Sequence, residues 1–194
     1  MNMLRLIRYN LFFFAILGTT FFSLGKKSEM AWPPANQANY VGVDKFITDP
    51  ELEVKLWAKS PQFYNPTNMS IDPKGRIWIT EGVNYREKLG IRRDSGDRIM
   101  VLIDSDGDGK ADESKVFLQD PYLESPLGIA VFDNRIVISQ PPDIIIYTDV
   151  NRDLRFDDSI DKKEVLLTGF NGRQHDHSLH SITSGPDGKW YFNS

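Results

Sequence analysis

The residues of this chain best placed to do chemistry are carboxylates at alternate positions. Asp104-Ser105-Asp106-Gly107-Asp108-Gly109-Lys110-Ala111-Asp112 sets acids at positions 1, 3 and 5, a glycine at 6 and a further acid at 9. Three carboxylates within five residues repel one another unless a cation sits between them. This spacing curls hard oxygen ligands around one point, and the glycine permits the sharp turn of a calcium loop. A weaker copy follows at Asp149-Val150-Asn151-Arg152-Asp153-Leu154-Arg155-Phe156-Asp157, with Leu154 where the first loop has its glycine. The candidate calcium ligands are Asp104, Asp106, Asp108, Lys110 and Asp112 in the first loop, and Asp149, Asn151, Asp153 and Asp157 in the second. Position 12 of the first loop is Lys115, where an EF-hand has a bidentate glutamate. The expected affinity is therefore weak, on the order of 10⁻⁴–10⁻³ M, and the ion would brace a connection without taking part in a reaction.

A second cluster is of another kind. All three histidines, His175, His177 and His180, fall in one short stretch with Asp176. Three uses fit: a hydrogen-bonded polar loop, a catalytic or cofactor-facing group, or a transition-metal site, since His175 and His177 would share one side of an extended strand. Arg92, Arg93 and Arg98, near Tyr85 and Arg86, read either as a solvated loop or as a grip on an anionic ligand.

The elements that must hold these groups are short and β-rich. Leu52 to Ala58 alternates apolar with polar, as a half-buried strand does. Asn68–Ile71, the turn Asp72-Pro73-Lys74-Gly75 and Arg76–Thr80 read as strand, tight turn, strand, with proline presetting φ and glycine accepting a positive φ. The same hairpin returns at Gly128–Ser139 around Asp133-Asn134, and at Ser181–Phe192 around Gly185-Pro186-Asp187-Gly188. Between the copies lies a second repeated unit of apolar strand, acidic loop and strand, in Asp97–Asp120 and again in Asp143–Phe170. Four strands per 45 to 60 residues, returning in one order, predict an all-β chain built of β-propeller blades. About three blades fit, where closed propellers have four to eight, so the chain reads as the N-terminal part of a longer protein, with an open blade face.

Composition bounds the rest. The 194 residues carry 23 Lys plus Arg against 27 Asp plus Glu, a net charge of −4, with no basic cluster outside the N-terminus, so no nucleic-acid partner is expected. Cysteine is absent, which excludes disulfides, thiolate zinc sites and a cysteine nucleophile within the chain. Residues 1–25 read as a signal peptide, with Arg5 and Arg8, an apolar run through Leu24 and a small-x-small site at Ser23-Leu24-Gly25. Export to a periplasmic or extracellular space is expected, with the membrane engaged only through this segment. Residues 26–50 read as a linker carrying Pro33, Pro34 and Pro50, and 51–194 as the partial propeller.

Asn65 to Glu81, the acidic loop at 104–112, and His175-Asp176-His177-Ser178-Leu179-His180 leading into Gly185-Pro186-Asp187-Gly188 carry a resemblance. The chain resembles the six-bladed propeller of pyrroloquinoline-quinone-dependent sugar dehydrogenases, the sorbosone dehydrogenase type included. It is similar above all to the membrane-bound dehydrogenases of planctomycetes and verrucomicrobia. The resemblance implies oxidation of a sugar or related alcohol, pyrroloquinoline quinone as cofactor beside calcium, and a cytochrome as acceptor in a longer protein. It implies His177 as the base that takes a hydroxyl proton and Asp176 as its partner, a role that suits an imidazole oriented by a carboxylate. The alternatives are a non-catalytic propeller that binds carbohydrate or protein, and a lactonase-like hydrolase with calcium in a central channel.

Overall fold

Turn residues cut the chain into short β-branched runs, and each run pairs with its neighbour in sequence. The computed structural model describes residues 42–85, 93–171 and 178–194, all within one compact unit, Tyr40–Ser194. The expected signal peptide, most of the linker, Arg86, Arg92, His175, Asp176 and His177 lie outside the described residues.

The described chain is all-β apart from a 3₁₀ turn at Val43–Lys45. Strands β1 (Pro66–Ile71), β2 (Ile77–Glu81), β3 (Arg98–Ile103) and β4 (Glu113–Gln119) form one antiparallel sheet in the order β1-β2-β3-β4. Strands β5 (Gly128–Phe132), β6 (Arg135–Gln140), β7 (Asp143–Thr148) and β8 (Lys162–Thr168) form a second in the order β5-β6-β7-β8. Strands β9 (Ile182–Ser184) and β10 (Trp190–Phe192) make a separate hairpin. All three expected hairpins are present. The hairpins share one register: Ser70 faces Trp78, Ala130 faces Val137, and Thr183 faces Tyr191.

The two sheets carry equivalent faces. Ile79, Met100 and Leu102 on the first occupy the places of Ile138, Ile145 and Tyr147 on the second, by the pairings of β2 with β3 and β6 with β7. The opposite face of the first sheet, with Trp78, Ile99 and Val101, joins Ile136, Ile138, Ile145 and Tyr147 in one buried cluster that also takes in Phe117 and Leu118. On the far face of the second sheet Val137, Ile144 and Ile146 pack with Leu179 and Ile182. Strand β1 lies against β5, and β5 against β9. Near-continuous apolar runs in β3 and β7 are thus explained, since both faces are covered. Each such side chain adds about 1.5–3 kcal/mol by leaving water.

Leu52 to Ala58 departs from expectation. It pairs with no strand, although Trp57 and Ala58 pack against Ile79, Met100 and Leu102. Its alternation encodes a strand, but no described segment lies beside it to complete a ladder.

The up-and-down order sorts the connections. The β1–β2, β3–β4, β5–β6 and β7–β8 links fall at one end of the sheets, and the β2–β3, β4–β5 and β6–β7 links at the other. Both sheets point the same way: the Thr67 hydroxyl donates to the Pro126 carbonyl, Asn68 Nδ2 donates to the Leu127 carbonyl (3.0 Å), and Val131 N–H donates to Ser70 Oγ (3.2 Å).

Candidate functional site

Both acidic loops leave the third strand of their sheet at the same end. In the first, Asp104 follows β3 directly, and one carboxylate oxygen from each of Asp104, Asp106 and Asp108 lies within 4.8 Å of the others. Local turns hold this shape. Asp104 accepts from Gly107 N–H (2.7 Å) and Gly109 N–H (2.9 Å), and Asp106 accepts from Asp108 N–H (3.0 Å). Gly107 and Gly109 stand at φ 78° and 85°, the left-handed region glycine enters without strain. Three partly or fully exposed carboxylates converging on one point supply the hard oxygen set a calcium ion takes. The residues present fit that ion.

Asp112, the position-9 acid, turns elsewhere. Its carboxylate accepts from Ser105 N–H (2.7 Å) and Ser105 Oγ (2.8 Å), which hold its pKa below the usual carboxylate value. Lys110 puts its ammonium 3.9 Å from Asp108, at the open rim.

The second loop keeps the backbone path but fills it differently. Arg152 and Leu154 adopt φ 62° and 68° at the positions of Gly107 and Gly109. Asp149 is buried and accepts from Asp153 N–H (3.2 Å) and Leu154 N–H (3.0 Å). Asn151 donates to Asp153 (2.9 Å) instead of facing a shared centre. Asp157 accepts from Ser159 Oγ (2.6 Å), and Asp161 ties the loop ends by accepting from Val150 N–H and Asp157 N–H, each at 2.8 Å. The sequence does not single out Asp161. Its signal is only a buried acid just before β8.

One feature unites the loops. The N–H at position 8 donates outward to another element: Ala111 to the Trp57 carbonyl (2.8 Å) and Phe156 to the Phe117 carbonyl (2.7 Å). Each loop thereby pins a corner of its sheet to the apolar segment alongside.

The described flanks of the histidine segment lie at the other end. These flanks, Asn171 and Ser178, are joined by the Ser178 hydroxyl donating to the Asn171 carbonyl. Phe170 N–H donates to the Pro142 carbonyl (3.1 Å), which sets this flank beside the β6–β7 link. The His180 carbonyl abuts Gly128 so closely that a Cβ there would come within 2.2 Å of it. The buried Ser125 and Ser139 hydroxyls at this end have no hydrogen-bond partner among the described residues. Asp176 and His177 themselves lie outside the described residues.

Arg93 and Arg98, the described arginines of this group, bind a carboxylate of the chain itself. Arg93 (2.6 Å) and Arg98 (2.7 Å) clamp the fully buried Glu81 carboxylate, and Arg98 also stands over the Tyr64 ring. Asp97 is a second buried hub, accepting from Val83, Asn84 and Ser125 N–H groups (2.7–3.2 Å). Burial pushes its pKa up, against those donors and Arg93. With both arginines committed to Glu81, the described residues do not form a cationic cradle for a quinone carboxylate.

Two solved structures of Trichoderma reesei carbohydrate-active enzymes family AA12, an iodide structure and a calcium structure, are similar to this chain. Each is 17% identical with a TM-score of 0.47, over 69% of this chain and 29% of theirs. This chain thus spans less than a third of the solved chains it matches. No curated protein sequence matches it. Residues 41–194 match the family described as a domain of unknown function, DUF7133, and the chain belongs to that family.

Proposed function

We propose that this is an exported, calcium-braced β-propeller module of a quinoprotein-type dehydrogenase that oxidises a sugar or related alcohol. In this reading the two sheets and the β9–β10 hairpin are successive blades, β1, β5 and β9 line the central channel, and the outer strands β4 and β8 face solvent. The module is one part of a six-bladed ring in a longer protein, with a cytochrome as its electron acceptor.

The observation that carries the reading is the separation of the two chemistries. Both acidic loops sit at one end, between third and fourth strands and away from the innermost ones. The flanks of the histidine segment sit at the other end, beside the start of β5. Calcium at Asp104, Asp106 and Asp108 then acts as a corner brace, with Asp149, Asn151, Asp153 and Asp157 forming a weaker counterpart. This favours a dehydrogenase over a lactonase-like hydrolase, whose calcium must stand in the channel to activate water. His177 is the proposed base for the substrate hydroxyl, and Asp176 its orienting partner. With Arg93 and Arg98 held by Glu81, none of the described residues is assigned to hold pyrroloquinoline quinone.

The test is reconstitution of the longer protein that carries this module with pyrroloquinoline quinone and calcium, followed by dye reduction across a panel of sugars and alcohols. Reduction with at least one of them, lost in His177→Ala, is the expected result. Saturable carbohydrate binding without turnover, unchanged in His177→Ala, would instead make the protein a binding module.

A further inference from the structure

Backbone strain gathers at one place in this molecule. Among the described residues, those other than glycine at positive φ are Asn65, Ser125, Asp133, Arg152 and Leu154. Asp133 (58°), Arg152 (62°) and Leu154 (68°) line a single cleft of about 70 Å³. It lies at the acidic-loop end, between the β1–β2 turn of the first sheet and the β5–β6 turn and second acidic loop of the other. The first acidic loop has Gly107 and Gly109 at the places of Arg152 and Leu154, so the same backbone path is available without strain. Strain retained where glycine would relieve it points to side chains that are needed there.

The walls of the cleft offer donors and hold back acceptors. Asp133 is spent on Arg152, whose Nη1 and Nη2 donate to its two oxygens at 2.6 and 2.5 Å. Asp149 is spent on the Asp153 and Leu154 N–H groups. On the opposite wall the Arg76 side chain donates to Asp72 through Nε alone (2.6 Å), and its guanidinium stands 6.0 Å from the Trp78 ring centre. Its two terminal nitrogens have no acceptor among the described residues, although the side chain is only 18% exposed. The exposed Lys74 beside it has no ion pair among the described residues. Partly buried charged donors without an acceptor are costly unless something supplies one. Size limits what that is. A volume of 70 Å³ is less than half of the roughly 150 Å³ that holds a benzene ring, so one oxyanion group enters and its carrier stays outside.

We propose that this cleft binds a carboxylate group, borne by a small organic acid or by an acidic sugar residue. The terminal nitrogens of Arg76 form the planar fork that matches two carboxylate oxygens, and Lys74 adds a second charge. Arg152 neutralises Asp133, and Trp78, Ile136 and Leu154 supply an apolar floor. With Asp133 and Asp149 in the walls, a singly charged carboxylate is repelled less than a doubly charged phosphate. The site stands at the opposite end from the described flanks of the histidine segment, so it recognises a ligand without taking part in the proposed oxidation.

Isothermal titration of the longer protein that carries this module tests the site, with acetate, glucuronate and inorganic phosphate as probes. At least one of the two carboxylates should bind saturably, and phosphate more weakly than either that does. Binding of glucuronate with acetate inert would assign the site to acidic sugars, and binding of both to carboxylates at large. Lys74→Glu, at an exposed position without an ion pair, should weaken binding at least about tenfold. Lys162→Glu, the same charge change on β8, should leave it unchanged. Arg152→Gly relaxes the left-handed backbone, so it should unfold no more readily than wild type and still bind about tenfold more weakly. No saturable binding of either carboxylate, binding indifferent to Lys74→Glu or to Arg152→Gly, an equal loss in Lys162→Glu, or phosphate bound the most tightly would overturn the proposal.

Discussion

At the scale of single residues, buried carboxylates decide which turns are fixed. Asp72 opens the β1–β2 turn and accepts from Lys74 N–H, Arg76 N–H, Arg76 Nε (2.6 Å) and Trp78 Nε1 (3.0 Å). Burial alone would raise its pKa, but the Trp78 and Arg76 hydrogen bonds outweigh it and hold the carboxyl below its ordinary 3.8. A depressed folded pKa means the stabilisation is complete above the unfolded value and fades as pH falls through the folded one. Asp72→Asn should therefore cost about 1–3 kcal/mol at pH 7, since it loses charge-assisted bonds to buried donors. The gap from wild type should narrow below about pH 4, as urea unfolding at several pH values would show. A gap that is constant with pH would assign the loss to shape alone.

The acidic loop at 104–112 was legible because its ligands are neighbours in sequence. Glu81, paired with Arg93 and Arg98, was not, because its partners stand 12 and 17 residues away and meet only once β2 and β3 are paired. The second loop was half legible. Its backbone repeats the first, but Asn151 and Asp153 bond to each other and Asp149 is buried among N–H donors. Calcium titration should therefore give at least tenfold weaker binding, about 1.4 kcal/mol, at the second loop than at the first. Loss of the tighter binding alone in Asp106→Ala, and of the weaker binding alone in Asp153→Ala, is the measurable form of that statement.

At the scale of elements, the hairpins followed from turn chemistry, and two glycines separate conformational strain from crowding. Gly75 closes the β1–β2 turn at φ 77° with open space where a Cβ would go. Gly75→Ala should cost about 1 kcal/mol, the strain of a left-handed residue. Gly96, just before β3, has φ 83° and would place a Cβ 1.8 Å from the Asp120 carbonyl oxygen. Gly96→Ala must push backbone apart, and its cost should exceed that of Gly75→Ala by about 2 kcal/mol or more in urea unfolding. Equal costs would mean the β4–β5 connection yields freely. Leu52 to Ala58 is the element whose alternation predicts a place in a sheet and which the described chain leaves unpaired. Alternation reports which side of a segment meets a core, and Trp57 does meet one. It does not report whether a neighbour is there to pair with.

At the scale of the whole molecule, the order of links along the meander sends both acidic loops to one end and the described flanks of the histidine segment to the other. No individual motif carries this information. It comes from the parity of the strands, odd-to-even links at one end and even-to-odd links at the other. The proposed brace and the proposed reaction, assigned to a segment whose described flanks lie at the other end, should be separable by mutation. If the proposed calcium site at Asp104, Asp106 and Asp108 binds, the ion should stabilise the folded state by mass action, adding about 2.7 kcal/mol at 100 times its dissociation constant. That corresponds to a rise in Tm of several degrees.

The most direct measurement sets both variants against both readouts in the quinone-loaded protein. His177→Ala should abolish dye reduction while leaving the calcium-induced rise in Tm intact. Asp106→Ala should lose that rise while retaining turnover at 25 °C. If either substitution removed both properties from a folded protein, calcium and catalysis would share one site, and the separation of brace from reaction would be contradicted.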